Sequence, residues 1–164
     1  MKRKYNYILL GIISLILLVA YLYEMKKANV KYNYMRKLSN KHLELYLLLY
    51  KWVRNYQQNI TVADYLIEKG YKNVAIYGLS YVGLLLYYDL NNNGINVDYG
   101  MERRRMAGPY YPSGLKVLSP TEQYANVDIV IVTSIQEFDA IKKELESKLN
   151  CPIICIDEII YRKE

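Results

Sequence analysis

The first pattern along the chain is an unbroken apolar run near the N-terminus. Tyr7 to Tyr23 reads Y-I-L-L-G-I-I-S-L-I-L-L-V-A-Y-L-Y, without a charge or a proline. Its 17 residues reach the lower end of the roughly 17–25 that cross a bilayer as a helix. Tyrosines at both ends fit the aromatic belts of membrane interfaces. No small-x-small cleavage site follows, so residues 1–23 are predicted to be an uncleaved, single-pass transmembrane anchor.

The second pattern is an apolar stripe between Ser39 and about Gln57. Its members recur at three- and four-residue spacing, which places them on one face of a helix. We expect this amphipathic helix to lie within a basic juxtamembrane segment, residues 24–60. The face either packs against the chain's own sheet or forms a dimerisation or partner surface. The residues predicted to be buried are Leu45, Leu48, Leu49, Trp52, Val53 and Tyr56.

From residue 61 the pattern changes to short apolar runs that alternate with helical segments. Thr61, with Asp64 three positions later and Gly70 beyond, predicts a short capped helix. The alternation predicts an α/β domain over residues 61–164 with a five-stranded parallel sheet, ordered 3-2-1-4-5 because crossovers are right-handed. The predicted strands are 72–77, 95–101, 115–118, 127–133 and 153–156.

The first predicted strand runs directly into the turn G-L-S-Y-V-G, residues 78–83, and then into a helix. A strand, a glycine-rich turn and a helix in succession are typical of a Rossmann dinucleotide-binding unit. Gly78 allows a tight turn, and Gly83 allows the helix to approach the strand. Ser80 replaces the middle glycine, and its Cβ crowds a pyrophosphate, although its N–H and hydroxyl can still meet an anion. We expect Gly78, Ser80, Tyr81 and Gly83 to bind a ligand.

Polar residues follow the second and fourth predicted strands. Glu102 lies 19 residues after Gly83, where an acid in this type of unit contacts a ribose hydroxyl. Arg103 and the two arginines after it either bind a phosphate or form a solvated loop edge. Thr133 and Ser134 end the fourth strand, at the edge where open parallel sheets bind ligands. These residues complete the predicted site.

Basic residues concentrate beside the apolar run. Residues 1–23 carry a net charge of +3, residues 24–60 carry +6 and residues 61–164 carry −3. This distribution fits a membrane surface better than nucleic acid, so no nucleic-acid partner is expected. Five basic residues follow the run closely and three precede it. The imbalance favours a protein of the cell membrane whose C-terminal domain lies in the cytoplasm.

Residues able to support catalysis are sparse. His42, the only histidine, begins the amphipathic helix and is expected at the surface. Cys151 and Cys155, four apart in a strand, are separated by roughly 13 Å against a bridging limit of ~7 Å, and are predicted as buried thiols. G-L-S-Y-V fails the nucleophile-elbow pattern, and no metal site is expected. An oxidoreductase or a sugar-nucleotide-modifying enzyme stays a weaker alternative to a binding protein.

Four stretches of the chain resemble a bacterial group of small Rossmann-like proteins associated with surface-polysaccharide biosynthesis, some with an N-terminal membrane segment. The resemblance implies relation to NAD(P)- and nucleotide-sugar-binding modules, and Glu102-Arg103 stands where the group has an acid followed by arginine. It favours binding of a nucleotide, dinucleotide or nucleotide-sugar. The alternative is a degenerate site in a non-catalytic protein that docks a glycosyltransferase or a second copy through helix 39–57. The matching stretches are 40–53, 70–83, 127–133 and 151–161, within 38–161.

Overall fold

The structure, a computed structural model, describes residues 2–103, 111–119 and 121–162, and the side chains of residues 2–9 lie outside that description. The chain divides into two compact units, Met1–Tyr46 and Leu47–Glu164. The first unit is helical. The second holds the sheet and the helices that cover it.

Helix α1 runs from Lys2 to Gln57. It includes the predicted anchor, the basic segment and the predicted amphipathic helix without a break. This continuity follows from the composition, because residues 2–57 contain no proline and one glycine, Gly11. Proline and glycine are the residues that most often interrupt a helix.

The apolar part of α1 exposes its side chains. Between residues 10 and 23 the large apolar side chains are 45–66% exposed. Among the residues that the structure describes, none of the helices has a stretch both long and apolar enough to cross a bilayer. The span predicted from Tyr7 to Tyr23 begins among the residues whose side chains lie outside the description. The transmembrane anchor therefore stays a prediction.

Helix α2, Val62–Lys69, has the caps that the sequence predicts. Thr61 Oγ1 accepts a hydrogen bond from the Asp64 N–H at 3.1 Å, and the Asp64 carboxylate accepts one from the Thr61 N–H at 2.6 Å. Gly70 ends the helix with a left-handed φ of 75°. These contacts satisfy backbone groups that a helix end otherwise leaves unpaired. The predicted capping box is confirmed.

The sheet has five strands: β1 Asn73–Tyr77, β2 Asn96–Met101, β3 Val117–Leu118, β4 Ile129–Val132 and β5 Ile153–Cys155. All five are parallel, and they lie in the order β3-β2-β1-β4-β5. The predicted α/β class and strand order are confirmed, and each strand is one to three residues shorter than predicted. The remaining helices are α3 Tyr81–Asn92, α4 Phe138–Glu146 and α5 Ile156–Ile160. Helix α3 follows β1, and a short 3-10 turn at Ile135–Glu137 leads from β4 into α4.

The central strands form the core of the second unit. Every residue of β4 and the last four residues of β1 are buried. Burial on both faces is expected of a parallel sheet that has helices on each side. On one face, Ile141 and Leu145 of α4 pack into the cluster formed by the strands. Each such aliphatic side chain contributes roughly 1.5–3 kcal/mol to folding.

The buried face of α1 differs from the predicted stripe. Trp52 is buried as expected, but Val53 and Tyr56 are 56% and 64% exposed. Asn55 is buried instead, and its Nδ2 donates a hydrogen bond to the Ile160 carbonyl oxygen at 2.8 Å. Val53 and Tyr56 therefore do not pack against the chain's own sheet, and their burial against a partner stays a prediction. The spacing of apolar residues does not identify Asn55, because Asn55 is a polar residue. Its hydrogen bond fixes which face of the helix is turned toward the core.

Candidate functional site

The turn between β1 and α3 depends on Gly78. Its φ is +92°, in the left-handed region that glycine adopts without steric cost. A Cβ at this position would lie 2.7 Å from Thr133 Oγ1. Both the backbone conformation and the space around it therefore require a glycine here.

Gly83 brings the first turn of α3 against β1. A Cβ on Gly83 would overlap the carbonyl oxygen of Gly78 and would lie 3.6 Å from Ile76 Cγ2. No side chain fits between the helix and the strand at this point. The close approach that the glycine spacing predicts is present.

Leu79, the second residue of the turn, is a buried wedge that the sequence argument missed. Its side chain is fully buried and lies over Gly100 of β2, where an added Cβ would be 2.5–3.0 Å from three Leu79 side-chain atoms. The sequence does contain one signal for this contact, Gly100, because a glycine inside a strand often marks a place where another segment approaches the strand closely. Leu79 and Gly100 together hold the turn against β2.

The carboxylate of Glu102 lies at this turn. Its Oε2 accepts a hydrogen bond from the backbone N–H of Leu79 at 2.8 Å. The N–H of Glu102 itself donates to the Leu118 carbonyl oxygen at 3.1 Å, so the end of β2 stays paired with β3. The acid and the glycine turn, predicted from their spacing to lie together, are neighbours.

The N-terminus of α3 opens to solvent beside the turn. Ser80 is the N-cap, its side chain makes no capping hydrogen bond, and the first turn of the helix has no acidic residue. Ser80 is exposed and Tyr81 is 76% exposed. Backbone N–H groups at a helix start carry a partial positive charge. This end of α3 is accessible to an anionic group.

Thr133 and Ser134 lie beside Gly78, where β4 ends. The Thr133 hydroxyl donates to the Gly78 carbonyl oxygen at 2.6 Å, and its backbone N–H donates to the Tyr77 carbonyl oxygen at 2.9 Å. Thr133 therefore fixes the conformation of the turn. Ser134 is half-buried and makes no side-chain capping bond at the 3-10 turn.

Arg103 is directed toward α4. Its Nη2 lies 2.9 Å from Glu144 Oε2, and Lys148 Nζ lies 3.5 Å from Glu144 Oε1. The structure thus pairs Arg103 with a carboxylate, and its contact with a ligand stays a prediction. Arg104 and Arg105, the other arginines predicted to meet a phosphate, lie outside the described residues.

The histidine and the two cysteines are the other residues with side chains that could react. His42 is exposed, as expected. Cys155 is buried and Cys151 is half-buried, and both are free thiols. Burial raises the pKa of the Cys155 thiol to about 12, so this sulfur stays protonated and unreactive at neutral pH. Within the described parts of the chain, no three His, Cys, Asp or Glu side chains come together to hold a metal ion.

Comparison of this chain with protein-family models, with curated proteins and with solved structures finds no match. The resemblance of residues 38–161 to bacterial surface-polysaccharide proteins stays a hypothesis from the sequence. A carboxylate, a glycine turn and an open helix start meet at the carboxyl edge of the sheet, beside the switch point between β1 and β4, where open α/β sheets bind ligands.

Proposed function

We propose that this protein is a membrane-attached module that binds a nucleotide, a dinucleotide such as NAD(P), or a nucleotide-sugar, in bacterial surface-polysaccharide biosynthesis. One observation carries the proposal: Glu102 Oε2 lies 2.8 Å from the Leu79 backbone nitrogen. An acid beside a glycine turn is the arrangement that contacts ribose hydroxyls while phosphate meets the helix start. The pathway rests on the sequence resemblance alone.

Each residue has a distinct part in this proposal. Glu102 accepts hydrogen bonds from the ribose hydroxyls, and the N–H groups at Ser80 and Tyr81 meet the phosphate. Gly83 keeps α3 close enough for those groups to face the ligand. The Cβ of Ser80 disfavours a pyrophosphate pressed tightly against the turn. The site therefore favours a ligand whose phosphate stands slightly off the backbone.

Membrane attachment is the second part of the proposal. Large apolar side chains on every face of α1 between residues 10 and 23 are exposed, and a bilayer is the environment that covers such a segment. The basic residues that follow favour the cytoplasmic side. We place the second unit, Leu47–Glu164, next to the cytoplasmic face of the cell membrane.

Ligand binding is tested with the purified full chain in detergent. Melting temperature is measured with NAD, NADP, UDP-glucose and UDP-N-acetylglucosamine, and the Kd of any stabilising compound is determined by calorimetry. Glu102→Gln is expected to weaken binding about 10- to 100-fold, because a hydrogen bond to a charged group contributes roughly 1.5–3 kcal/mol. Glu146→Gln, the same change at an exposed position of α4, is expected to leave Kd unchanged.

Two results would contradict this proposal. The first is a melting temperature that none of the four compounds raises. The second is a Kd that Glu102→Gln leaves unchanged or lowers. Such a result would indicate a bound anion without a ribose contact, because removal of a negative charge favours the binding of a bare anion.

A second candidate function is docking without nucleotide binding. The partner would be a glycosyltransferase or a second copy of the chain, bound through helix 39–57. Two observations favour this alternative: Val53 and Tyr56 are exposed on α1, and the carboxylate of Glu102 already occupies the Leu79 N–H of the turn. The same binding panel separates the two candidates, because a docking protein with a degenerate site gives no ligand response.

A further inference from the structure

Two consecutive peptide groups at the end of β1 are each held from both sides of the strand. In the first, the Tyr77 carbonyl oxygen accepts a hydrogen bond from the Thr133 N–H at 2.9 Å, and the Gly78 N–H donates to the Met101 carbonyl oxygen at 2.9 Å. These are backbone bonds, one toward the end of β4 and one toward β2. The backbone pairing of the sheet therefore continues to the end of β1 on both sides.

The second peptide group, which joins Gly78 to Leu79, is held by two side chains. The Thr133 hydroxyl donates to the Gly78 carbonyl oxygen at 2.6 Å, and the Leu79 N–H donates to Glu102 Oε2 at 2.8 Å. The C=O and N–H of a trans peptide point in opposite directions, so the two side chains lie on opposite sides of the turn. They extend the pairing across β1 by one peptide beyond the backbone bonds.

This peptide group depends on its partners for its orientation because it follows a glycine. Gly78 lacks a Cβ, so it restrains the plane of the following peptide less than another residue would. A rotation of the plane moves the carbonyl oxygen and the N–H together, because both belong to one rigid group. The Thr133 hydroxyl, which holds the oxygen, therefore also sets the direction of the N–H that faces Glu102.

The two hydrogen bonds also strengthen each other. A hydroxyl donates to the carbonyl and the amide of the same peptide donates to a carboxylate, so the bonds form a chain that runs in one direction. Bonds in such a chain polarise one another, and they are stronger where water is excluded. Thr133 is 8% exposed and Leu79 is fully buried. Loss of the Thr133 hydroxyl is therefore expected to weaken the bond at Glu102.

We infer that Thr133 is a positioning residue for the Glu102 carboxylate, and that it acts through the Gly78–Leu79 peptide without touching the ligand. Its hydroxyl has a single proton, and the short bond to Gly78 leaves that proton unavailable to a ligand. In the proposed function Glu102 accepts hydrogen bonds from ribose hydroxyls, so a displaced carboxylate lowers affinity. The effect on affinity rests on that proposed function, whereas the hydrogen-bond chain does not.

The hydrogen-bond chain is tested without ligand, by NMR measurement of hydrogen exchange at the Leu79 amide of the full chain in detergent. Thr133→Ala is expected to speed this exchange about 3- to 10-fold, the factor that corresponds to loss of one neutral hydrogen bond. Thr133→Ser keeps the hydroxyl and removes only the methyl group, so it is expected to exchange near the wild-type rate.

The matched control is Ser147→Ala, which removes a hydroxyl that donates to the Glu144 carbonyl oxygen at 2.7 Å, at the C-terminal end of α4. It is expected to leave the Leu79 exchange rate unchanged. Circular dichroism and melting temperature check that the variants are folded. Equal exchange rates in Thr133→Ala and Thr133→Ser, or a Thr133→Ala rate equal to that of wild type, would overturn the inference.

The action of Thr133 through Glu102 is tested by calorimetric measurement of the Kd of NAD and of UDP-glucose. Thr133→Ala alone is expected to raise Kd about 3- to 10-fold, and Thr133→Ser is expected to restore it. In a Glu102→Ala background, Thr133→Ala is expected to have little further effect, because residues that act as one unit are not additive. An equal effect in both backgrounds would overturn the inference and assign Thr133 a direct ligand contact. Absence of binding by wild type would count against the proposed function, and the Leu79 exchange rates would then decide the positioning role.

Discussion

Gly83 is the residue at which the geometry of the site is least tolerant of change. An added Cβ would overlap the carbonyl oxygen of Gly78, which belongs to the backbone and cannot rotate away. The same glycine lets the first turn of α3 face the ligand edge of the sheet. Its role in the fold is therefore structural, and in the proposed function it also positions the groups that meet the ligand.

Gly83→Ala is expected to lower the free energy of unfolding by about 1–3 kcal/mol, the usual cost of forcing an extra carbon into a packed site. Urea denaturation of the full chain in detergent measures this change. Gly11→Ala is the control, because a Cβ at this helical glycine meets nothing within 4 Å. Equal stability of the two variants would show that α3 has room to move away from β1.

Residue-level contacts are also where the sequence argument was least informative. It predicted that Gly78, Gly83 and Glu102 lie together, because each has a fixed position relative to a strand end. It did not find the Leu79–Gly100 contact or the Arg103–Glu144 ion pair. Both join segments whose relative placement depends on the packed sheet and not on local spacing.

At the level of elements, the sequence predicted the sheet well and the buried face of α1 only in part. Strands could be predicted because β4 is apolar throughout and because crossover handedness leaves few topologies. The rotation of α1 depends on Asn55, whose amide donates to the Ile160 carbonyl oxygen at the end of α5. A single sequence does not indicate that a polar residue within an apolar stripe is buried.

Asn55→Ala is expected to destabilise the second unit by about 1–3 kcal/mol, because it leaves the buried Ile160 carbonyl oxygen without this donor. Gln57→Ala, two residues later on the exposed side of the same helix, is expected to stay within about 0.5 kcal/mol of wild type. Chemical denaturation of both variants gives the comparison. If Asn55→Ala matches Gln57→Ala, another contact fixes the rotation of α1.

For the whole molecule, the exposed apolar part of α1 is the feature on which membrane attachment depends. Ile13→Arg together with Leu17→Arg is expected to release the protein from membranes under alkaline carbonate extraction, since each arginine costs roughly 2.5–3.5 kcal/mol at the centre of a spanning helix. Val30→Arg with Tyr34→Arg, beyond the apolar run, is expected to leave it in the membrane pellet. Release of wild type itself, or retention of the first variant, would refute the anchor.

In the proposed function, the hydrogen bond from the Leu79 N–H to Glu102 bears on selectivity in the cell. A site that already contains a fixed carboxylate repels small free anions, so inorganic phosphate gains little by binding there. A nucleoside phosphate differs, because its sugar hydroxyls can donate to that same carboxylate while its phosphate reaches the helix start. The acid would then act as a filter that keeps abundant ions out and admits only molecules carrying a diol and a phosphate a few ångströms apart.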